Sequence, residues 1–163
     1  MEYPLLKNKM PENIKKVWLK SSLVTSFVFL AIGGIGIGVA WWFKQLSGIW
    51  LMAIIIYFCL VVGIKLFDLV LIPYRYRFHR YEVTPEDLAF QNGYIFRATT
   101  YVPINRIQHI ETKQGPFLRQ ANLMAVTIHT AATSHSVEGL TVEQAQELRQ
   151  QIITMIKVAE QDV

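Results

Sequence analysis

Four histidines, His79, His109, His129 and His135, are the side chains best suited to proton transfer or metal ligation, and their spacing argues against both. No two stand four apart on a helix with a glutamate between them, and His109-Ile110-Glu111 lacks the downstream cysteine pair of a zinc deaminase. They read as strand or turn surface positions. Ser134-His135-Ser136 has no Gly-x-Ser-x-Gly frame to expose a nucleophile. Adjacent Glu86 and Asp87 diverge on a strand or turn, which is wrong for paired acid and base work. The single cysteine, Cys59, can form neither an intrachain disulfide nor a thiolate cluster. A non-enzymatic protein without metal or cofactor is expected.

The cations are better candidates for binding. Arg75, Arg77 and Arg80, with His79 among them, follow directly on a long apolar stretch. At that position each cation contributes on the order of 1 kcal/mol toward anionic lipid, although the same charges also serve as a plain topology signal. Arg106, in a tight turn after Pro103, offers a guanidinium that can bridge strands or meet an acidic group of a partner. The net charge of +4 divides unevenly: residues 1–80 hold ten Lys and Arg against three Asp and Glu, residues 81–163 six against nine. Basicity therefore belongs to the flanks of the apolar stretch, and nucleic acid is not an expected partner.

Two apolar runs, residues 21–43 and 45–64, must position everything else. Each lacks ionisable residues and is about the 20 residues that a helix needs to cross roughly 30 Å of hydrocarbon. They are separated by Lys44, with Gly48 close behind, which predicts an antiparallel transmembrane hairpin over 21–72 with both termini on one side. Lys7, Lys9, Lys15, Lys16 and Lys20 precede it and Lys65, Arg75, Arg77 and Arg80 follow, while the turn carries only Lys44. The positive-inside rule then puts both termini in the cytoplasm. The first run starts too late and is too long for a cleaved signal sequence. Trp41, Trp42 and Trp50 suit the outer interface, Lys65 and Asp68 are spaced to pair, and Pro73 is expected to end the second helix. Gly34 and Gly38 fit small-xxx-small spacing, for packing inside the hairpin or for dimerisation. Apart from the boundary residues, the spans hold no buried ionisable group of the kind that marks an ion or proton route, so the hairpin reads as an anchor and not a transport path.

After the spans the period becomes twofold. Tyr74, Tyr76 and Phe78 alternate with Arg75, Arg77 and His79, Tyr81 and Val83 follow with a bulge near Arg80, and Gln91-Asn92-Gly93 is a hairpin signal between 87–90 and 94–101. Further strands are expected over 108–113, 123–130 and 134–139, with a short helical turn or loop at 117–122. Thr141 and Gln144 form a capping-box pattern opening a helix with Val142, Ala145, Leu148, Ile152 and Ile156 on one face. The expected fold is α+β: a cytoplasmic lead-in over 1–20, the hairpin over 21–72, and an antiparallel unit of six or seven strands closed by a C-terminal helix over 73–163.

The strings Val102-Pro103-Ile104-Asn105-Arg106-Ile107-Gln108, Phe117-Leu118-Arg119, Val126-Thr127-Ile128-His129-Thr130-Ala131 and Gly139-Leu140 occur in order. With this organisation, the whole chain resembles the bacterial pleckstrin-homology-like membrane proteins of the YdbS-like type. Asn122 stands where a glycine often precedes the leucine, and Ala132 replaces the glycine usual after Thr-Ala. Asn tolerates positive φ, so it can preserve the turn. The resemblance implies a seven-strand pleckstrin-homology-like barrel with a C-terminal helix at the inner membrane of a bacterium, acting as a binding or scaffold module. The expected partners are membrane lipids and a larger membrane paralogue with several such domains, or a second copy. Anionic-lipid sensing is the alternative, and a role in envelope stress or antimicrobial-peptide resistance would suit such an anchor.

Overall fold

Helices α1 (Ile14–Trp42) and α2 (Gly48–Phe78) carry the apolar stretch. The computed structural model describes residues 4–44, 47–93 and 96–161. It divides into two compact units, one of Met1–Val17 with Pro73–Val163 and one of Trp18–Ile72.

In the unit Trp18–Ile72 the large side chains point outward: Phe27 is 74% exposed, Ile35 68% and Val70 72%. That is the surface of a helix pair solvated by lipid, where burial in water-driven fashion is not needed. The two helices touch where the Tyr57 hydroxyl donates to the Phe29 carbonyl at 2.8 Å. At Gly33 a Cβ would lie 2.7 Å from the Tyr57 ring and 2.8 Å from that of Phe58, so any larger residue would have to displace these rings. Of the two packings read from sequence for Gly34 and Gly38, the one inside the hairpin is thereby corrected, while dimerisation is untouched. A Cβ at either would meet nothing within 4 Å: at about 100° per residue, Gly34 lies roughly 100° and Gly38 roughly 140° round the helix from Gly33, off the contact face. Lys65 and Asp68 pair at 3.6 Å as their spacing suggests. Gln45 and Leu46, in the expected turn, lie outside the described residues.

The other unit holds two antiparallel sheets. β1 (Asn8–Lys9), β2 (Arg80–Val83), β3 (Asp87–Gly93) and β4 (Arg97–Pro103) form the first in that order. A 3-10 turn, Ile104–Arg106, leads to β5 (Ile107–Lys113), then α3 (Pro116–Gln120), β6 (Leu123–Thr130) and β7 (Ser134–Thr141). The last three strands form the second sheet, order β5-β6-β7, and α4 (Val142–Gln161) follows. Among the described residues seven strands and a terminal helix match the expectation, six of the strands within 73–163 and β1 from the lead-in, but the sheets are not closed into a barrel: no ladder joins them. Helix α4 closes the core instead. It packs on the 3-10 turn, β6 and β7 and buries Ala145, Leu148 and Ile152. Its start is the expected capping box: the Gln144 N–H donates to Thr141 Oγ1 at 3.2 Å and the Thr141 N–H to Gln144 Oε1 at 3.1 Å. Asn122 has φ 53°, preserving its turn. Thr130 Oγ1 accepts the N–H groups of Ala132 and Thr133, which closes the turn without a glycine. Tyr94 and Ile95, expected to open β4, lie outside the described residues.

Residues 74–78 are helical, where alternation suggested a strand, and Pro73 lies inside α2. Tertiary contacts override both signals. The Tyr76 hydroxyl donates to the Met10 carbonyl at 2.8 Å, the Tyr74 and Phe78 rings meet at 4.9 Å one helical turn apart, and Phe78 is buried.

The N-terminal segment is no mere lead-in. β1 pairs with β2, Asn8 opposite Tyr81 and Lys9 opposite Arg80. Leu6, Met10, Ile14 and Val17 are buried in the core, Ile14 completely. Gln91, also fully buried, holds the segment: its Oε1 accepts the Leu6 N–H at 3.4 Å, and its Nε2 donates to the Pro4 carbonyl at 2.8 Å and to Thr99 Oγ1 at 3.3 Å. Lys7 and Glu82 pair at 3.0 Å. Gly139, with φ 90°, lies so close to Ile14 that a Cβ there would be 2.6 Å from its side chain.

Gln91→Ala is expected to cost about 1–3 kcal/mol, because buried backbone groups lose their partners. Hydrogen exchange should rise over residues 6–10 more than in β6; equal protection in both variants would show that Gln91 does not hold the segment. Ile14→Ala should cost about 2–5 kcal/mol in a thermal or denaturant melt, whereas a cost below about 0.5 kcal/mol would place Ile14 outside the core.

Candidate functional site

The last turn of α2 and the start of β4 bring cations and aromatic rings together. Arg97 is opposite Gly93 across the β3–β4 ladder. Its Nη2 donates to the Tyr74 hydroxyl at 2.6 Å, and its guanidinium lies 3.9 Å from the Phe78 ring centroid. Stacking and hydrogen bonding fix the plane of the cation, an arrangement that a lysine ammonium does not reproduce. Arg77 lies 6.0 Å from the same ring, and Arg75 and Arg77 are both exposed. Phe96, beside Arg97, is 90% exposed. An arginine rim carrying an exposed aromatic can meet phosphate headgroups or an acidic protein surface.

Arg75 also lines a polar recess of about 390 Å³ with His79, Asn92, Gly93, Ser136 and Glu138. Burial, and after it the charge of Arg75, lowers the His79 pKa from 6.5 to about 4. The imidazole is therefore neutral near pH 7 and adds hydrogen-bonding capacity but no charge.

Of the residues singled out from sequence, Arg75 and Arg77 belong to this rim. Arg80 serves the fold: its Nη1 donates to the Leu6 carbonyl at 2.9 Å and its Nε to the Arg77 carbonyl at 3.1 Å. Arg106 ends the 3-10 turn, exposed and without a side-chain hydrogen bond or ion pair among the described residues. Gly34 and Gly38 belong to the other unit. Arg97 was missed in sequence: Gln91-Asn92-Gly93 reads as the hairpin turn, but these residues end β3 and pair with Thr99, Ala98 and Arg97, so Arg97 is the first residue of the returning strand.

His109 and His129 form a second cluster on the outer face of β5 and β6. Their rings stack 4.2 Å apart and 11° from parallel, and Glu111 lies 2.9 Å from Lys113 and 3.4 Å from His129 Nε2. The hydrogen bond from Lys113, reinforced by its charge and by His129, lowers the Glu111 pKa despite some opposing desolvation. Parallel rings do not aim their lone pairs at one point. Among the described residues no group of three or more His, Cys, Asp or Glu is arranged to hold a metal ion.

Residues 17–156 match the family model described as "Bacterial PH domain". The chain is 32% identical over 165 residues to the UPF0699 transmembrane protein YdbS of Bacillus subtilis (strain 168), an alignment covering 96% of this chain and 97% of that relative. No solved structure matches it.

The His79 environment predicts an acid-sensitive unit. Between pH 6.5 and about 4 the unfolded chain binds a proton at His79 that the folded chain does not. Stability should therefore fall as pH is lowered through this window, by on the order of 3 kcal/mol, and this contribution should level off below it. In His79→Asn, melts across the same pH range should lose this component of the slope; an unchanged slope would assign the acid sensitivity to other groups.

Proposed function

The chain belongs to the bacterial PH domain family, and we propose on that basis that it is a non-enzymatic, membrane-tethered binding module whose PH-like unit engages a partner protein at the cytoplasmic face of the inner membrane. The observation that carries this reading is the shared fold of Met1–Val17 and Pro73–Val163. Segments that bury each other's side chains lie on one side of the membrane, whichever side that is. The lysines and arginines flanking the spans, against Lys44 alone in the turn, favour the cytoplasm. A unit joined to the membrane segment at both Val17 and Pro73 has less freedom than one on a single tether, which suits a docking platform. The partner is a membrane protein, either a larger paralogue with several related domains or a second copy of this chain; nucleic acid is not bound.

The arginine rim supports a second reading, in which Arg75, Arg77 and exposed Phe96 contact anionic lipid. Arg80 is not part of that surface, since its guanidinium binds the backbone of Leu6 and Arg77.

Crosslinking in intact membranes, then gentle solubilisation and mass spectrometry, should recover a stoichiometric membrane protein with this chain. Recovery of the chain alone with anionic lipid retained would contradict the partner reading and favour the lipid one. For the second reading, Arg75→Glu with Arg77→Glu should weaken retention of anionic lipid several-fold and flatten its salt dependence. Unchanged retention and salt dependence would remove the lipid reading.

A further inference from the structure

Strand β5 is an outer strand of its sheet, hydrogen-bonded only to β6 among the described residues. Alternate residues of an antiparallel strand direct their backbone N–H and C=O groups to opposite sides, so an outer strand presents a row of groups to whatever lies beyond it. Beyond β5 lies a groove of about 330 Å³, lined by Gln108, His109 and Ile110 of β5 and by Arg149, Ile153, Ile156 and Lys157 of α4. Its floor is apolar. Ala145, Leu148 and Ile152 face the core, and the next stripe round the helix leaves Ile153 and Ile156 half-buried, with Ile110 half-buried across from them. Its rim is cationic: Arg149 and Lys157 are both exposed, and among the described residues no carboxylate lines the groove. The nearest acidic residue on β5, Glu111, is already paired with Lys113 and His129. This is a local reversal of sign in a region, residues 81–163, that carries six Lys and Arg against nine Asp and Glu. The recess beside β7 differs, being polar and containing Glu138.

A backbone edge, an apolar floor and a cationic rim along one seven-residue strand match three features of one ligand: an extended main chain, apolar side chains at alternate positions, and acidic side chains between them. We propose that the groove between β5 and α4 takes an extended acidic segment of a partner protein, added as a strand to the free edge of β5. The inference rests on the partner-binding reading and names where the partner docks and by what chemistry. Arg149 and Lys157 select against basic segments, and Ile153 and Ile156 seat the apolar side chains.

The test uses the full chain in lipid nanodiscs and a fluorescein-labelled, end-capped decapeptide of alternating glutamate and valine. Saturable binding is expected, at least about tenfold tighter than for the lysine-valine peptide. Methylating the backbone nitrogens of alternate residues on the bonding edge should reduce it at least about tenfold, since strand addition needs those N–H groups. Arg149→Glu with Lys157→Glu, both on the exposed face of α4, should reverse the preference; Ile153→Asp should abolish binding, with a thermal melt confirming that the unit is folded. Equal binding of both peptides, indifference to N-methylation, or no saturable binding by the acidic peptide overturns the proposal. A partner crosslinked as strongly to the Arg149→Glu, Lys157→Glu chain as to the unaltered one overturns the groove but leaves the partner reading standing. Absence of any crosslinked protein from the unaltered chain removes that reading itself.

Discussion

The PH-like unit depends on a strand that the chain lays down before it enters the membrane segment. Asn8 and Lys9 pair with β2, and Leu6, Met10, Ile14 and Val17 fill the core beneath. At roughly 1.5–3 kcal/mol for each large apolar side chain fully buried, these four rank among the main favourable terms, before the entropy of ordering the segment is set against them. Without the segment, β2 becomes an open edge and the buried amide of Gln91 keeps only Thr99 of the three groups it binds. The spans are thus an insertion within the unit and not an appendage to it.

That insertion explains the local departures near Pro73. A proline in a helix removes one hydrogen bond, and alternating aromatic residues favour a strand, yet α2 continues to Phe78. Continuation is sustained by contacts that local sequence does not display: Tyr76 bonded to Met10, the Lys15 ammonium 4.1 Å from the Tyr76 ring, and Arg97 clamped against Tyr74 and Phe78. The same contacts sort the basic residues. Arg80 is drawn into the N-terminal strap, while Arg75 and Arg77 stay exposed.

Much of the architecture was legible because its signals are periodic or local. The spans follow from uninterrupted apolar length, the β6 strand from alternation, and the start of α4 from Thr141 and Gln144. What was not legible depends on partners distant in sequence. Leu6, Met10, Ile14 and Val17 recur three or four residues apart, but nothing nearby indicates that their neighbours are Gly139 and the sheet core. Gly34 and Gly38 have the spacing of a packing motif, and only the rotational phase of α1 reveals that Gly33 makes the contact. Of the site, the cations after the second span were visible in the sequence. Arg97 and the β5–α4 groove were not, because each arises from elements that meet only in the folded unit.

The central claim, that the membrane segment is inserted between two paired strands, is tested most directly by a disulfide across them. In a Cys59→Ala background, Asn8→Cys and Tyr81→Cys occupy positions directly opposite in the β1–β2 ladder, within the reach of a disulfide. After mild oxidation in membranes and cleavage at a protease site engineered between α1 and α2, the account predicts that the two halves migrate together without reductant and separate with it. Halves that separate without reductant, or that link only between copies, would contradict it.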